Sequence, residues 1–207
     1  AGLRGRTLVL QVLRSTSAFA LPKAELHVHL EGAMRIATVR ELADRNGVPT
    51  PSGLGRDGWR FDGFLDFIDQ YIALCDLMTE LDDFRRLGAE VAEDLAADGV
   101  RYAEAVFTPS AHAAAFDDDW TSPLEALLDG LSAGAREHGT VVRVTPGVVR
   151  DLGVDAAERT LEVARKFADD GVVDITIGKR ISDARLSELR ADDVDGQVHF
   201  PPHALAI

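Results

Sequence analysis

Three times along this chain a helix-patterned run ends at a glycine and an apolar, strand-like run follows at once. LGAEVAEDLAADG leads into VRYAEAVF, SPLEALLDGLSAGAREHG into TVVRVTPGVV, and DAAERTLEVARKFADDG into VVDITI. A glycine just past a helix takes the left-handed backbone without steric cost, so Gly99, Gly139 and Gly171 read as helix ends. The starts carry signals too. Ser122, Pro123 and Glu125 read as a capping box with proline in the first turn, and Asp155 with Glu158 repeats it. Between those marks Leu81, Phe84, Leu87, Val91 and Leu95 recur at helical spacing, as do Leu124, Leu127, Leu128 and Leu131. With the opening run LPKAELHVHLEGA, this grammar gives four strands separated by helices, and hence parallel βα units. The expected sheet is Glu25–Leu30, Arg101–Phe107, Val141–Val149 and Val172–Ile177 in that neighbour order, with helices on one side.

Three helices, Arg35–Asn46, about Phe64–Leu77 and Thr79–Ala97, fall between the first and second strands, where one would suffice. The two extra ones are expected to form a cap over the C-terminal end of the first strand. That strand alternates. Lys23, Glu25, His27, His29 and Glu31 take one face, and Leu26, Val28 and Leu30 the other. Two imidazoles one residue apart on one face can meet a single ion, and zinc accepts neutral imidazole nitrogens readily. A surface strand with two solvated histidines would show the same pattern. Glu31 and Gly32 follow at the strand's end, where α/β barrels keep their sites.

Composition removes several classes of function. The chain has 207 residues, 46% of them hydrophobic, enough for a sizeable core. Its net charge of −13 argues against nucleic-acid or anionic-membrane partners, which want a basic face. No run approaches the roughly 20 apolar residues of a membrane-spanning helix. Cys75 is the single cysteine, placed in a helical apolar pattern as plain core, so no intrachain disulfide or thiolate cluster forms, and a cytoplasmic location is expected. Residues 1–20, basic and without acids, read as a disordered extension rather than a targeting signal.

LPKAELHVHLEGA resembles the first metal-binding motif of the adenosine/adenine deaminase family of metal-dependent hydrolases. The resemblance continues through FLDFIDQY, RYAEAVFTP and TPGVVRD, from about Leu21 to Val173. It implies a (β/α)8 barrel, of which this chain supplies about four units, a partial barrel. It implies one zinc ion with His27 and His29 as its first two ligands, and hydrolytic deamination of adenosine or a related 6-aminopurine. It places His29, Glu31 and Gly178 on the substrate side, with Glu31 at the rim of the site. It also aligns Phe61 and Phe64 with a purine-walling lid helix, although ordinary packing explains those aromatics equally well. Val106 stands where the family often has arginine.

After Val173 the family's third zinc histidine, its general-acid glutamate in an H-A-G-E segment, its further histidine and its late aspartate are not found. No catalytic acid or base is therefore assigned, and the zinc site is expected to be incomplete. His199 and His203 lie in a Pro-rich tail, and His112 and His138 read as a loop residue and a helix-end residue. The expected organisation is an extension at 1–20, a half barrel at 21–173 and an atypical tail at 174–207. Loss of pattern near residue 174 suggests a premature end or a frame change, and poor activity. The alternative is a non-catalytic half barrel that pairs with another chain, or with itself, through its exposed sheet edge. An unrelated α/β binding domain would leave the motif unexplained.

Overall fold

The structure, a computed structural model, describes residues 21–56, 58–173 and 176–177. Expectations for residues 1–20, Gly178, His199, His203 and the remainder of the 174–207 tail lie outside the described residues. In chain order the elements are β1 (Lys23–His29), α1 (Ile36–Asn46), the two-residue strands β2 (Leu54–Gly55) and β3 (Gly58–Trp59), α2 (Phe64–Cys75), α3 (Leu81–Ala97), β4 (Val100–Phe107), α4 (Ser122–His138), β5 (Val141–Val148), α5 (Gly153–Lys166) and β6 (Thr176–Ile177). Short 3-10 turns follow β1 at Glu31–Ala33, β4 at Pro109–Ala111 and β5 at Arg150–Leu152.

The four main strands form one parallel sheet in the order β1-β4-β5-β6, as the repeated grammar predicts, while β2 and β3 make a separate antiparallel pair. The fold is thus part of a (β/α)8-type barrel. Paired residues on neighbouring strands share a face. Val28, Ala103, Ala105 and Val144 turn toward the helices and are almost fully buried, as is Phe107 at the C-terminal end of β4. On the opposite, concave face, His29 is level with Val106 and Val106 with Thr145, and Glu104 is level with Arg143 one layer below. Arg143 is exposed and Glu104 half-buried, so a polar inner face lies partly open.

Helices α3 and α4 pack closely because three glycines remove the side chains that would hold them apart. A Cβ on Gly130 would lie 2.0 Å from the Arg85 carbonyl oxygen, and one on Gly88 2.6 Å from the Leu127 carbonyl oxygen. Phe84, Leu87, Leu124 and Leu127 fill the space beneath, each burial contributing about 1.5–3 kcal/mol.

Local punctuation differs from expectation at three helix ends. Neither Ser122 nor Asp155 caps a helix. Asp119 receives the Thr121 and Ser122 amides at 2.8 and 3.2 Å, because the chain reaches α4 through a tight turn that brings this carboxylate to the helix start. The α5 helix grows directly out of the preceding 3-10 turn and begins at Gly153, upstream of Asp155. The reciprocal capping box sits instead on α3, between Glu80 and Asp83. Gly139 closes α4 in the left-handed conformation, whereas α5 ends at Lys166 and reaches Gly171 through a turn.

Candidate active site

The histidine pair owes its placement to an irregular strand. Between Glu25 and Val28, β1 carries one more residue than the facing stretch of β4. Such a bulge breaks the alternation and re-aims the side chains beside it. Leu26, expected on the core face with Val28 and Leu30, is 62% exposed, while the other two are buried. The His27 amide, displaced from the ladder, donates instead to Glu25 Oε1 at 3.2 Å. From within the bulge His27 meets His29, just beyond it, with the two rings edge to face and their centroids 5.3 Å apart.

Glu31 does not stand at the rim. Its side chain is fully buried under α2, in the 3-10 turn that carries the chain off the end of β1. Oε1 accepts the Thr108 amide at 2.8 Å, and Oε2 accepts the Tyr71 hydroxyl at 2.9 Å. His112 Nε2 lies 3.5 Å from Oε1. Burial alone raises the pKa of Glu31, but the His112 contact and the amide bonds outweigh it and hold the carboxyl below its ordinary range. The group is ionised at neutral pH.

His112 is the expected loop residue, but a buried one. It follows β4 in the turn above the sheet, 2% exposed, with its ring stacked on Phe107 at 5.1 Å and edge-on to Phe84 at 4.9 Å. Tyr71 comes from α2, its hydroxyl 3.5 Å from His29 Nδ1 and its ring 6.0 Å from the His29 ring. Burial and the Glu31 charge push its hydroxyl well above the ordinary tyrosine range. Burial likewise lowers the His29 pKa, with His27 adding to that effect and Glu31 opposing it. His29 is thereby kept as a neutral imidazole.

Aromatic rings lead away from His29 along α2. Tyr71 neighbours Phe67, Phe67 meets Phe61 edge-on at 5.2 Å, and Phe61 stacks on Trp59 at 6.0 Å. Phe61 packs against the core, whereas Phe64 is 45% exposed. Cys75 is buried in the same helix, as expected of a core residue.

Among the described residues, no group of three or more His, Cys, Asp or Glu side chains is arranged to hold a metal ion. Two adjacent imidazoles, one of them kept neutral by burial, suit zinc as part of a ligand set. Tyr71 and His112 were not singled out by sequence reasoning. A signal existed for Tyr71, which falls four residues after Phe67 on the buried face of α2, where a hydroxyl needs a partner.

A family model described as adenosine deaminase matches residues 22–204, past the point near residue 173 where the motif resemblance ends. The chain is 36% identical over 174 residues to an aminodeoxyfutalosine deaminase of Streptomyces coelicolor, covering 81% of this chain and 45% of that protein. It is also 36% identical over 152 residues to an adenine deaminase of the same organism, covering 72% of this chain and 44% of the relative. Among solved structures, an amidohydrolase from Burkholderia ambifaria with bound zinc superposes with a TM-score of 0.69 at 31% identity, over 80% of this chain and 46% of the other. An adenine deaminase from Arthrobacter aurescens gives 0.67 at 26% identity, over 78% of this chain and 50% of the other. The chain spans about half the length of the curated relatives it matches.

Proposed function

The chain belongs to the adenosine deaminase family, and from that premise we propose that it carries the first-strand part of a site for hydrolytic deamination of a 6-aminopurine. In that reaction water replaces the 6-amino group of adenosine, adenine or a related compound, giving the 6-oxo purine and ammonia. The observation that carries the reading is the edge-to-face approach of the His27 and His29 rings, with centroids 5.3 Å apart, near the end of β1. His27 and His29 are the residues that hold one zinc ion. When bound, zinc supplies a water activated near neutral pH.

The chain's own residues do the rest of what it offers. His29 presents a neutral imidazole. Phe67, buried in α2, lies next to Tyr71, and Phe61, before that helix, meets Phe67 edge-on, so the two rings back the tyrosine that neighbours His29. His29 stands on the substrate side, and Glu31, with both oxygens already engaged, serves by fixing its neighbours. Relatives named for adenine and for aminodeoxyfutalosine leave the choice of purine open. The 207-residue sequence holds no H-A-G-E-like segment, where the family resemblance puts the general acid, a group worth about 10²–10⁴ in rate.

The test is ammonia release from adenine and from adenosine by the purified chain with zinc. The expected result is conversion far slower than that of a complete deaminase, with the residual rate lost in His27→Ala. A residual rate indifferent to His27→Ala would contradict the assignment of the site. Fast turnover lost in His27→Ala would contradict the incomplete machinery and place the missing donors beyond residue 177.

A second reading is favoured by the sheet edges. Among the described residues the outer edge of β1 pairs with no strand, and Leu26 beside it is exposed. Under that reading the half barrel associates with a second copy through this edge.

A further inference from the structure

The buried carboxylate beside the histidine pair dictates where hydrogen atoms can sit. Both Glu31 oxygens act as acceptors, Oε1 of the Thr108 amide and Oε2 of the Tyr71 hydroxyl. Glu31 therefore draws the single hydroxyl hydrogen of Tyr71 onto Oε2, at 2.9 Å. The Tyr71 oxygen is then left as an acceptor toward its other neighbour, His29 Nδ1, at 3.5 Å. A neutral imidazole facing an acceptor must carry its hydrogen on that nitrogen, which leaves the lone pair on Nε2. Glu31 cannot swing away from this duty, because Oε1 is tied to the Thr108 amide at 2.8 Å and the side chain is fully buried. His112, locked between Phe107 and Phe84, closes the far side of the carboxylate.

We propose that Tyr71 is a positioning residue, through which Glu31 fixes His29 in the Nδ1–H tautomer and turns its Nε2 lone pair toward the concave face. The inference rests on the reading of His29 as a metal ligand for its purpose, but not for its geometry. Partners of this kind, one shell removed from the ion, set the tautomer and orientation of ligating imidazoles in many sites. Here the partner is a phenol rather than a carboxylate, and the carboxylate acts one bond further back.

Long-range ¹H–¹⁵N NMR on the labelled, metal-free 207-residue chain reads the tautomer of each histidine directly. Wild type is expected to show His29 with hydrogen on Nδ1 and a bare Nε2. In Tyr71→Phe the acceptor is gone, and the His29 pattern is expected to shift to mostly Nε2–H while His27 keeps its own. Glu31→Gln supplies the independent arm. A glutamine amide donates to the tyrosine oxygen, frees the hydroxyl hydrogen to point at His29, and drives the same switch with Tyr71 in place. A filler role for Tyr71 or Glu31 would lower thermal stability without moving that pattern. An Nε2–H His29 in wild type, or an unchanged pattern in both folded variants, overturns the proposal. Zinc added to wild type separates the two claims. Failure to shift either His27 or His29 defeats the metal reading, whatever the tautomers show.

Discussion

Asp83 is a buried carboxylate with both oxygens in use. Arg45 grips it through two nitrogens at 2.6 and 2.7 Å, and the Thr79 and Glu80 amides donate at 3.0 Å each. Burial raises its pKa, but the Arg45 bonds and the amides outweigh this and lower it from the ordinary 3.8. Because the folded pKa is the lower one, the stabilisation is fully present above about pH 4 and is lost as pH falls through the folded value. Asp83→Asn is expected to cost about 1–3 kcal/mol in urea unfolding at neutral pH, and to remove part of the acid-side loss of stability. Equal slopes against pH in variant and wild type would show that another group controls the acid limb. Histidines 27 and 29 were legible in the sequence because their spacing is itself the signal. Tyr71 and His112 were not, since each finds its partner Glu31 far along the chain, and only the fold brings β1, α2 and the end of β4 together.

At the scale of elements, the helix–glycine–strand grammar gave strand order and direction, because apolar periodicity and glycine placement are written locally. Caps were misread for the opposite reason. Asp119 reaches the start of α4 through a turn whose two left-handed residues, Asp117 and Asp118, have no pattern to announce them. The bulge in β1 was equally hidden, since it exists only in the pairing with β4. Close packing of α3 on α4 gives a prediction of its own. Replacing glycine by alanine inside a helix ordinarily gains about 0.5–1 kcal/mol. At Gly130 the new Cβ would fall 2.0 Å from the Arg85 carbonyl oxygen, so the helices must separate. Gly130→Ala is expected to lose about 1–3 kcal/mol in chemical unfolding, while Gly47→Ala meets no atoms and is limited to its backbone cost at φ 67°. A stabilised Gly130→Ala would mean that the two helices pack more loosely than described.

For the molecule at large, the four parallel strands among the described residues leave edges that a closed barrel lacks. Under the pairing reading, Leu26 on the edge strand β1, 62% exposed, lies in the contact. Sedimentation velocity is expected to show mass rising with concentration, and a Leu26→Lys variant to shift the chain toward monomer. A wild-type monomer at all concentrations would remove the pairing reading. No described helix is long and apolar enough to cross a membrane. The family and the parallel architecture were legible because LPKAELHVHLEGA and the repeated grammar are local features. The depth of Glu31 was not, because burial is set by how α2 closes over the strand.

The most direct measurement is a zinc titration of the purified chain, followed by histidine NMR and by calorimetry, in wild type and in His27→Ala. The prediction is one weakly held, exchangeable ion per chain, with the His27 and His29 signals moving together, His138 unmoved, and binding lost in the variant. Zinc binding of equal strength in His27→Ala, or saturating zinc that leaves both signals in place, would contradict the assignment of this strand end as a metal site.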